Sequence, residues 1–320
     1  MNRLAWENTQ LPEINTSSLQ LPLPECTLAS RMYHGSPQRP LILYFHGGGW
    51  ALGDLETHHP FCHLLAARTN CSLMSIDYRL APEHPFPAAH EDAMAASRWI
   101  IDNLNALAPN NGEVVIAGDS AGGNLTLATA ARMPDEPRLR GCLMIYPATQ
   151  HYHAEVRSYV EHAKSGPLTT PIMRWFTDTY LNGMAPADPS IEVMFPGRRT
   201  PFHGFPRSLL ITAEKDPLRD DGRRLAKTLK LAGVNVQHEH FLEEAQCVWV
   251  DAFAVRQWPG NGADMDFRGV IRGCKALLVA APIIESEICR QLLGNDKRIE
   301  FLTSDEGAAA KKLLFAFRIW

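Results

Sequence analysis

The sequence predicts an α/β fold with a mostly parallel central sheet and helices on both faces. Short apolar runs such as Leu41–Phe45 and Val114–Ala117 end at glycines, a pattern typical of buried strands. Segments with helical spacing, such as residues 218–232, alternate with these runs. Because parallel strands must be joined by a crossover, which is usually a helix, this alternation indicates a parallel sheet.

The length and charge of the chain narrow the class of protein. With 320 residues, 45% of them hydrophobic, the chain can bury a substantial core, and we expect a single domain over residues 1–320. Its 31 Lys and Arg residues nearly balance 35 Asp and Glu residues. This balance argues against a protein dedicated to binding nucleic acid or an anionic membrane. No apolar run approaches the ~20 residues of a membrane-spanning helix.

The cysteines give no sign of a disulfide scaffold or a metal site. They are odd in number, scattered and without C-x-x-C spacing: Cys26, Cys62, Cys71, Cys142, Cys247, Cys274 and Cys289. This use of cysteine is typical of a reducing compartment. The first residues also lack an apolar secretory segment, so we expect a cytoplasmic protein with no metal and no cofactor.

Three segments depart from the alternation of strands and helices. Residues 1–40 are rich in Pro, Ser and Thr and predict an N-terminal arm or partial lid, and residues 250–320 form a divergent C-terminal segment. Residues 150–205 predict a lid insertion, with a helix that begins near Thr170 and Pro171. Its apolar side chains either roof a pocket or pack in the core: Met173, Trp175, Phe176 and Tyr180.

A G-x-S-x-G motif joins a predicted strand to a predicted helix at residues 118–122. The glycines leave room for a tight turn, which would expose the hydroxyl of Ser120 above the sheet. The next backbone N–H, on Ala121, lies at a helix N-terminus and can donate to a developing oxyanion. The alternative, a glycine-rich packing turn, is disfavoured by the position between strand and helix. The motif therefore predicts a nucleophilic serine.

A second glycine run, Gly47-Gly48-Gly49, follows the strand at residues 41–45. Without side chains, the backbone N–H groups of this run can approach a ligand closely. Such preorganised donors stabilise the negative charge that forms on oxygen during acyl transfer. We interpret the preceding His46 as a residue that braces the loop and not as a catalytic base.

Four motifs in order resemble the hormone-sensitive-lipase-like family of α/β hydrolases, close to its bacterial acetyl-esterase and carboxylesterase members. They lie within residues 40–240 and read His46-Gly47-Gly48-Gly49-Trp50, Asp77-Tyr78-Arg79-Leu80-Ala81-Pro82-Glu83, Gly118-Asp119-Ser120-Ala121-Gly122-Gly123 and Asp216-Pro217-Leu218-Arg219-Asp220-Asp221-Gly222. The resemblance implies an α/β-hydrolase fold with a small lid. It also implies a serine carboxylesterase with Ser120 as nucleophile, with Asp216 as the acid that orients the base, and with an oxyanion hole formed by Gly48, Gly49 and Ala121.

The position of Asp216 agrees with that role. It follows the predicted strand at residues 209–212, and sites in α/β sheets form at the carboxyl ends of strands. Asp220 and Asp221 fall in the first turn of the next helix, where the helix dipole favours a structural role. We expect the Tyr78–Arg79 segment to be structural as well.

The histidine base of the triad does not appear where the family pattern places it. In this fold the order is serine, acid, histidine, and the expected position is occupied by Gln246. No histidine occurs after His240. His238 and His240 are substitutes by position, although their alternation along a strand favours two histidines that simply share one face of it.

Three explanations of the missing histidine stay open. The chain is an esterase with a displaced base, or a truncated or rearranged product of an esterase-family gene, or a weak or inactive ligand-binding protein on a hydrolase scaffold, as in plant gibberellin receptors. Retention of the serine and the acid favours the enzyme. We therefore expect a short-chain carboxylesterase whose partner is a small-molecule ester. A homodimer is a candidate assembly.

Overall fold

The computed structural model describes residues 13–107, 112–154, 156–164, 168–196 and 202–241. Its eight strands are β1 (Thr16–Pro22), β2 (Thr27–Tyr33), β3 (Leu41–Phe45), β4 (Leu73–Ile76), β5 (Val114–Asp119), β6 (Leu139–Ile145), β7 (Ser208–Ala213) and β8 (Val236–Phe241). They form one sheet in the order β1-β2-β4-β3-β5-β6-β7-β8. The pairs from β4 to β8 are parallel, whereas β1 with β2 and β2 with β4 are antiparallel.

The predicted mostly parallel α/β sheet is confirmed. Every residue of β3, β4, β5 and β7 is buried. Because successive side chains of a strand point to opposite faces, complete burial requires cover on both faces of the sheet. Parallel pairing also brings the carboxyl ends of these strands to one edge, with Phe45 beside Gly118 and Asp119 beside Ile145.

The N-terminal part departs from the expected arm or partial lid, because β1 and β2 add two antiparallel strands to the sheet. The alternation of buried and exposed residues is clear in β2, where Leu28, Ser30 and Met32 are buried. In β1 only Leu21 is buried. An exposed strand with a single buried side chain carries too weak an apolar pattern to stand out in a segment rich in Pro and Ser.

Eight helices accompany the strands in the described residues: α1 (His59–Thr69), α2 (Ala88–Asp102), α3 (Leu104–Leu107), α4 (Ala121–Ala131), α5 (Arg157–Glu161), α6 (Thr170–Leu181), α7 (Ile191–Met194) and α8 (Arg219–Leu231). Helix α4 is rich in small residues and is buried against β5, β6 and α2. Helix α8 instead has one apolar stripe, with Leu225, Ala226 and Leu229 buried at helical spacing.

The predicted helix start near Thr170 is confirmed at α6. The Thr169 side chain caps it by accepting a hydrogen bond from the Ile172 backbone N–H, and Pro171 occupies the first turn. Together with α5 and α7, this helix lies between β6 and β7, in the segment for which the sequence predicts a lid. Among the helices that the structure describes, none is long and apolar enough to cross a membrane.

Candidate active site

Ser120 occupies the turn between β5 and α4 in a strained conformation. Its φ of 52° and ψ of −116° lie outside the regions that side-chain-bearing residues normally adopt. Backbone hydrogen bonds hold it there. The Ser120 N–H donates to the Ile145 carbonyl oxygen at 2.9 Å, and its own carbonyl oxygen accepts from Asn124 N at 3.0 Å and Ala148 N at 3.2 Å. Such strain is common where a turn presents a reactive side chain.

Close backbone packing explains the second glycine of the motif. A Cβ on Gly122 would lie 1.9 Å from the Phe45 carbonyl oxygen, at the carboxyl end of β3. A Cβ on Gly118 would meet the Gly122 carbonyl oxygen at 2.3 Å. The turn that carries Ser120 therefore presses directly on the strand that leads into the glycine loop.

The glycine loop after β3 folds back on itself at Gly48, whose φ is +122°. The Gly48 carbonyl oxygen accepts hydrogen bonds from Ala51 N at 3.1 Å and Leu52 N at 2.9 Å. A Cβ at Gly48 would lie 1.9 Å from the Leu52 carbonyl oxygen, so only glycine fits this turn. Among the described residues, no protein group accepts a hydrogen bond from the N–H of Gly48, Gly49 or Ala121.

Asp119 connects this loop to the serine turn. Its Oδ1 accepts hydrogen bonds from Gly47 N at 3.0 Å and from the Tyr44 hydroxyl at 2.5 Å, and its Oδ2 lies 3.7 Å from Nε2 of His58. Burial alone would raise the pKa of Asp119, but the adjacent His58 and the Tyr44 hydrogen bond outweigh burial and lower it. A buried carboxylate thus holds the first amide of the loop beside Ser120.

His46 lies under the loop and is fully buried. The Tyr78 hydroxyl donates to the His46 carbonyl oxygen at 2.8 Å, and the two rings stack with centroids 4.4 Å apart. Burial, followed by the neighbouring His58, lowers the pKa of His46 to about 4. A neutral, enclosed ring of this kind fits the bracing role expected for His46. Arg79, next to Tyr78, forms an ion pair with Asp92 at 2.7 Å.

Asp216 lies in the turn between β7 and α8 and is 1% exposed. Its Oδ1 accepts a hydrogen bond from Leu218 N at 2.8 Å. Leu218 lines the pocket at Ser120, whereas Asp216 itself does not. We call residues 214–218, between β7 and α8, the acid loop. Asp220 and Asp221 make structural contacts, as expected: Asp220 pairs with Arg219 at 2.8 Å, and Asp221 accepts from the Tyr159 hydroxyl at 2.7 Å.

One pocket brings Ser120 together with two of the three expected oxyanion donors. It holds about 30 Å³ of free volume and is lined by Gly49, Trp50, Ser120, Ala121, Ala148, Gln150, Tyr152, Leu168, Met173, Phe176, Thr177 and Leu218. Of the apolar residues expected either to roof a pocket or to pack in the core, Met173 and Phe176 line this one. Tyr180 instead stacks on Trp50, with ring centroids 5.2 Å apart, and packs in the core.

The pocket wall at residues 148–152 was not singled out from the sequence. The sequence signal that could have found it is its position, because the segment directly follows the carboxyl end of β6, at the edge of the sheet where Ser120 and Asp216 also lie.

A buried polar network behind this wall was also not predicted from the sequence. Nε2 of His90 and the Asn124 Oδ1 lie 3.0 Å apart, and the Asn124 amide donates to the carbonyl oxygens of Ala148 and Met194.

The two substitute histidines lie together on one face of β8. His238 Nε2 and His240 Nδ1 are each 2.8 Å from the Thr212 hydroxyl, and His240 Nε2 is 2.8 Å from Glu214 Oε2. Neither histidine is among the described residues that line the Ser120 pocket. Gln246, the expected position of the base, lies outside the described residues.

Comparisons with known proteins agree with this fold. The model of the family Abhydrolase_3, described as an alpha/beta hydrolase fold, matches residues 42–249. The chain is 39% identical over 204 residues to carboxylesterase NlhH of Mycobacterium tuberculosis, covering 62% of this chain and 63% of NlhH. It is 36% identical over 233 residues to esterase LipI of the same species, covering 71% of this chain and 72% of LipI. The chain thus spans less than two thirds of the length of NlhH.

Solved structures give the same result. An esterase from the archaeon Pyrobaculum calidifontis is similar with a TM-score of 0.65 and 37% identity, covering 71% of this chain and 75% of that one. The thermostable carboxylesterase EstE1, cloned from a metagenomic library, has a TM-score of 0.67 and 34% identity, covering 73% of this chain and 80% of that one. The chain therefore belongs to the Abhydrolase_3 family of α/β hydrolases, the hormone-sensitive-lipase-like family that its motifs resemble.

Proposed function

We propose that this protein is a serine carboxylesterase that hydrolyses short-chain acyl esters through an acyl-enzyme on Ser120. The observation that carries the proposal is one pocket that joins Ser120, on its strained turn, to Gly49 and Ala121. Similarity to proteins named carboxylesterase and esterase supports it. The substrate class is a small carboxylic ester.

In the proposed reaction, the Ser120 oxygen attacks the ester carbonyl carbon. The negative charge on the carbonyl oxygen is stabilised by hydrogen bonds from the N–H groups of Gly48, Gly49 and Ala121. The ester C–O bond then breaks, the alcohol leaves with a proton, and water releases the acid from Ser120. In this proposal Asp216 orients a base that takes the serine proton and returns it to the alcohol.

The size of the pocket favours a short acyl group. One enclosed water molecule needs about 10–15 Å³ of free volume. The pocket has about 30 Å³ of free volume, which accommodates a group of two or three heavy atoms. The apolar lining from Leu168, Met173 and Phe176 suits a methyl or ethyl group.

The test compares the wild type with Ser120→Ala on p-nitrophenyl acetate and butyrate. Ser36→Ala, at a serine outside the pocket, is the matched control and should retain the wild-type rate. We expect Ser120→Ala to lower kcat by at least 10³-fold, since the nucleophile is removed. Equal rates for the wild type and Ser120→Ala would refute the proposal.

Gln246 supports one alternative, a weak or inactive hydrolase that binds its ligand without efficient turnover. A glutamine cannot take the serine proton, and a triad without its base retains only ~10³–10⁴-fold acceleration over water. If the base alone is missing, Gln246→His should raise kcat by 10²-fold or more, with Gln246→Asn as control. If instead His238 or His240 supplies the base, replacing that histidine by Gln should abolish wild-type activity.

A further inference from the structure

Asp221 stands out among the buried acidic residues because its carboxylate joins three separate segments around the pocket. It lies in the first turn of α8, five residues after Asp216, and is fully buried. Its Oδ2 accepts hydrogen bonds from the backbone N–H groups of Thr149 at 2.8 Å and Gln150 at 3.0 Å. Its Oδ1 accepts from the hydroxyl of Tyr159, on α5, at 2.7 Å.

The two amides belong to one wall of the pocket. Ala148, Gln150 and Tyr152 line the pocket, and Ala148 N also donates to the Ser120 carbonyl oxygen. The Thr149 hydroxyl adds a bond at 3.3 Å to the Asp221 carbonyl oxygen. The Asp221 carboxylate is thus the acceptor for two successive backbone N–H groups of this wall, and it belongs to the helix that follows the acid loop.

Helix α5 is joined to the same region by a second set of contacts. The Ser158 hydroxyl donates to the Pro217 carbonyl oxygen at 2.5 Å, and Ser158 N donates to Asp220 Oδ2 at 3.0 Å. These contacts hold α5 against the acid loop without touching the pocket wall. Asp221 alone, of the two neighbouring carboxylates, reaches both α5 and the wall.

We propose that Asp221 is a positioning residue that fixes the 148–152 wall of the substrate pocket to helix α5 and to the first turn of helix α8. That the 148–152 wall belongs to an ester-binding pocket rests on the proposed function. Without this acceptor, the buried Thr149 N–H and the half-buried Gln150 N–H would lose their partner. Residues 149–150 would then rearrange, and the wall would move with them. The side chain of Asp221 does not line the pocket, so it acts only through the position of the wall. We therefore expect Asp221 to affect substrate binding.

The test uses three variants. Asp221→Ala removes every acceptor, whereas Asp221→Asn keeps an oxygen for the two amides and can donate its NH₂ to the Tyr159 oxygen. Asp220→Ala is the matched control, because it perturbs the junction of α5 and α8 but not the wall. For p-nitrophenyl butyrate we expect Asp221→Ala to raise KM about tenfold with kcat within threefold, and the other two variants to leave KM within about twofold.

Amide hydrogen exchange of residues 149–150 gives a readout that needs no turnover. Exchange should accelerate at least tenfold in Asp221→Ala and keep the wild-type rate in Asp221→Asn and Asp220→Ala. If Asp221→Ala does not fold, Tyr159→Phe takes its place, with a smaller acceleration expected. Wild-type exchange in Asp221→Ala, or in Tyr159→Phe where it takes its place, would overturn the proposal. An Asp220→Ala effect equal to that of Asp221→Ala would overturn it as well.

Failure of the proposed function gives a different result. If the wild type hydrolyses no ester, we replace KM by the affinity for butyrate. This affinity is measured from the amide hydrogen exchange of residues 148–152 at increasing butyrate concentration. A tenfold weaker affinity in Asp221→Ala then supports the positioning role without catalysis, and an unchanged affinity refutes it.

Discussion

The carboxylate of Asp119 accepts a hydrogen bond from the Gly47 backbone N–H at 3.0 Å, and this bond ties the residue before Ser120 to the start of the glycine loop. Two elements that are 72 residues apart in the sequence are thereby held in one arrangement. Since oxyanion donors act only when they are already in place, this bond is a structural link between the proposed nucleophile and its proposed oxyanion hole.

Removal of that link should reduce turnover more than binding. We expect Asp119→Ala to lower kcat 10²-fold or more with little change in KM, because displacing one oxyanion donor costs about 3–4 kcal/mol of transition-state stabilisation. Asp119→Asn, which retains an accepting oxygen, should lose less. Steady-state kinetics with p-nitrophenyl acetate measures both. Asp92→Asn, which alters a carboxylate paired with Arg79, is the control, and an equal kcat loss there would indicate a general effect on folding.

Gly122 should tolerate no side chain. A Cβ there would lie 1.9 Å from the Phe45 carbonyl oxygen, so either the turn or β3 must move. We expect Gly122→Ala to lower the free energy of unfolding by about 3 kcal/mol or more, in the range of substitutions that disrupt a packed core. Gly183→Ala is the control: its φ is +82°, but nothing lies within 4 Å of its Cβ, so a loss of about 1–2 kcal/mol is expected. Urea unfolding compares them, and similar losses would contradict the packing argument.

The sequence predicted the parts of the site that depend on backbone shape. Glycines that follow an apolar strand mark tight turns and close backbone approaches. The serine turn and the glycine loop could therefore be located from Gly118, Gly122 and the run at residues 47–49. The pocket wall at Gln150 and Tyr152 depends on how the insertion packs, and no local pattern encodes such packing. β1 was missed for a related reason, since its pairing with β2 and not its own composition makes it a strand.

The buried His90 network should make the protein sensitive to acid. Asn124 donates its amide to two carbonyl oxygens, so its Oδ1 accepts from Nε2 of His90, and Nδ1 accepts from the Tyr180 hydroxyl at 2.7 Å. Burial lowers the pKa of His90 to about 3, whereas the unfolded chain takes up this proton near pH 6.5. The stabilisation by neutral His90 is therefore complete above about pH 6.5 and is lost progressively as the pH falls towards 3.

Comparison of the wild type with His90→Gln isolates this contribution. Between pH 6.5 and 4 the free energy of unfolding of the wild type should fall more steeply than that of His90→Gln, by about 1.4 kcal/mol per pH unit. Urea titrations at several pH values measure the difference. His34→Gln, which removes an exposed histidine bonded to Ser17, should follow the wild-type curve. Parallel curves for the wild type and His90→Gln would show that His90 is protonated in the folded protein.

Phe176 should set the upper limit of acyl length. Its ring lines the pocket and packs on Gly49, where an added Cβ would lie 2.2 Å from ring carbons. Phe176→Ala removes that ring, so the pocket gains volume while the support of Gly49 weakens. We expect the ratio of kcat/KM for p-nitrophenyl hexanoate over acetate to rise at least tenfold, while the rate on acetate itself falls.

The ratio separates a change of pocket size from a general loss of activity, because damage to the oxyanion loop affects all acyl lengths alike. Trp175→Ala is the matched control, since Trp175 contacts the Phe176 ring edge-to-face at 5.1 Å but does not line the pocket. It should leave the ratio within about twofold of the wild type. If Phe176→Ala lowers every rate by the same factor, Phe176 supports the loop without limiting the acyl group, and chain length is set elsewhere in the pocket.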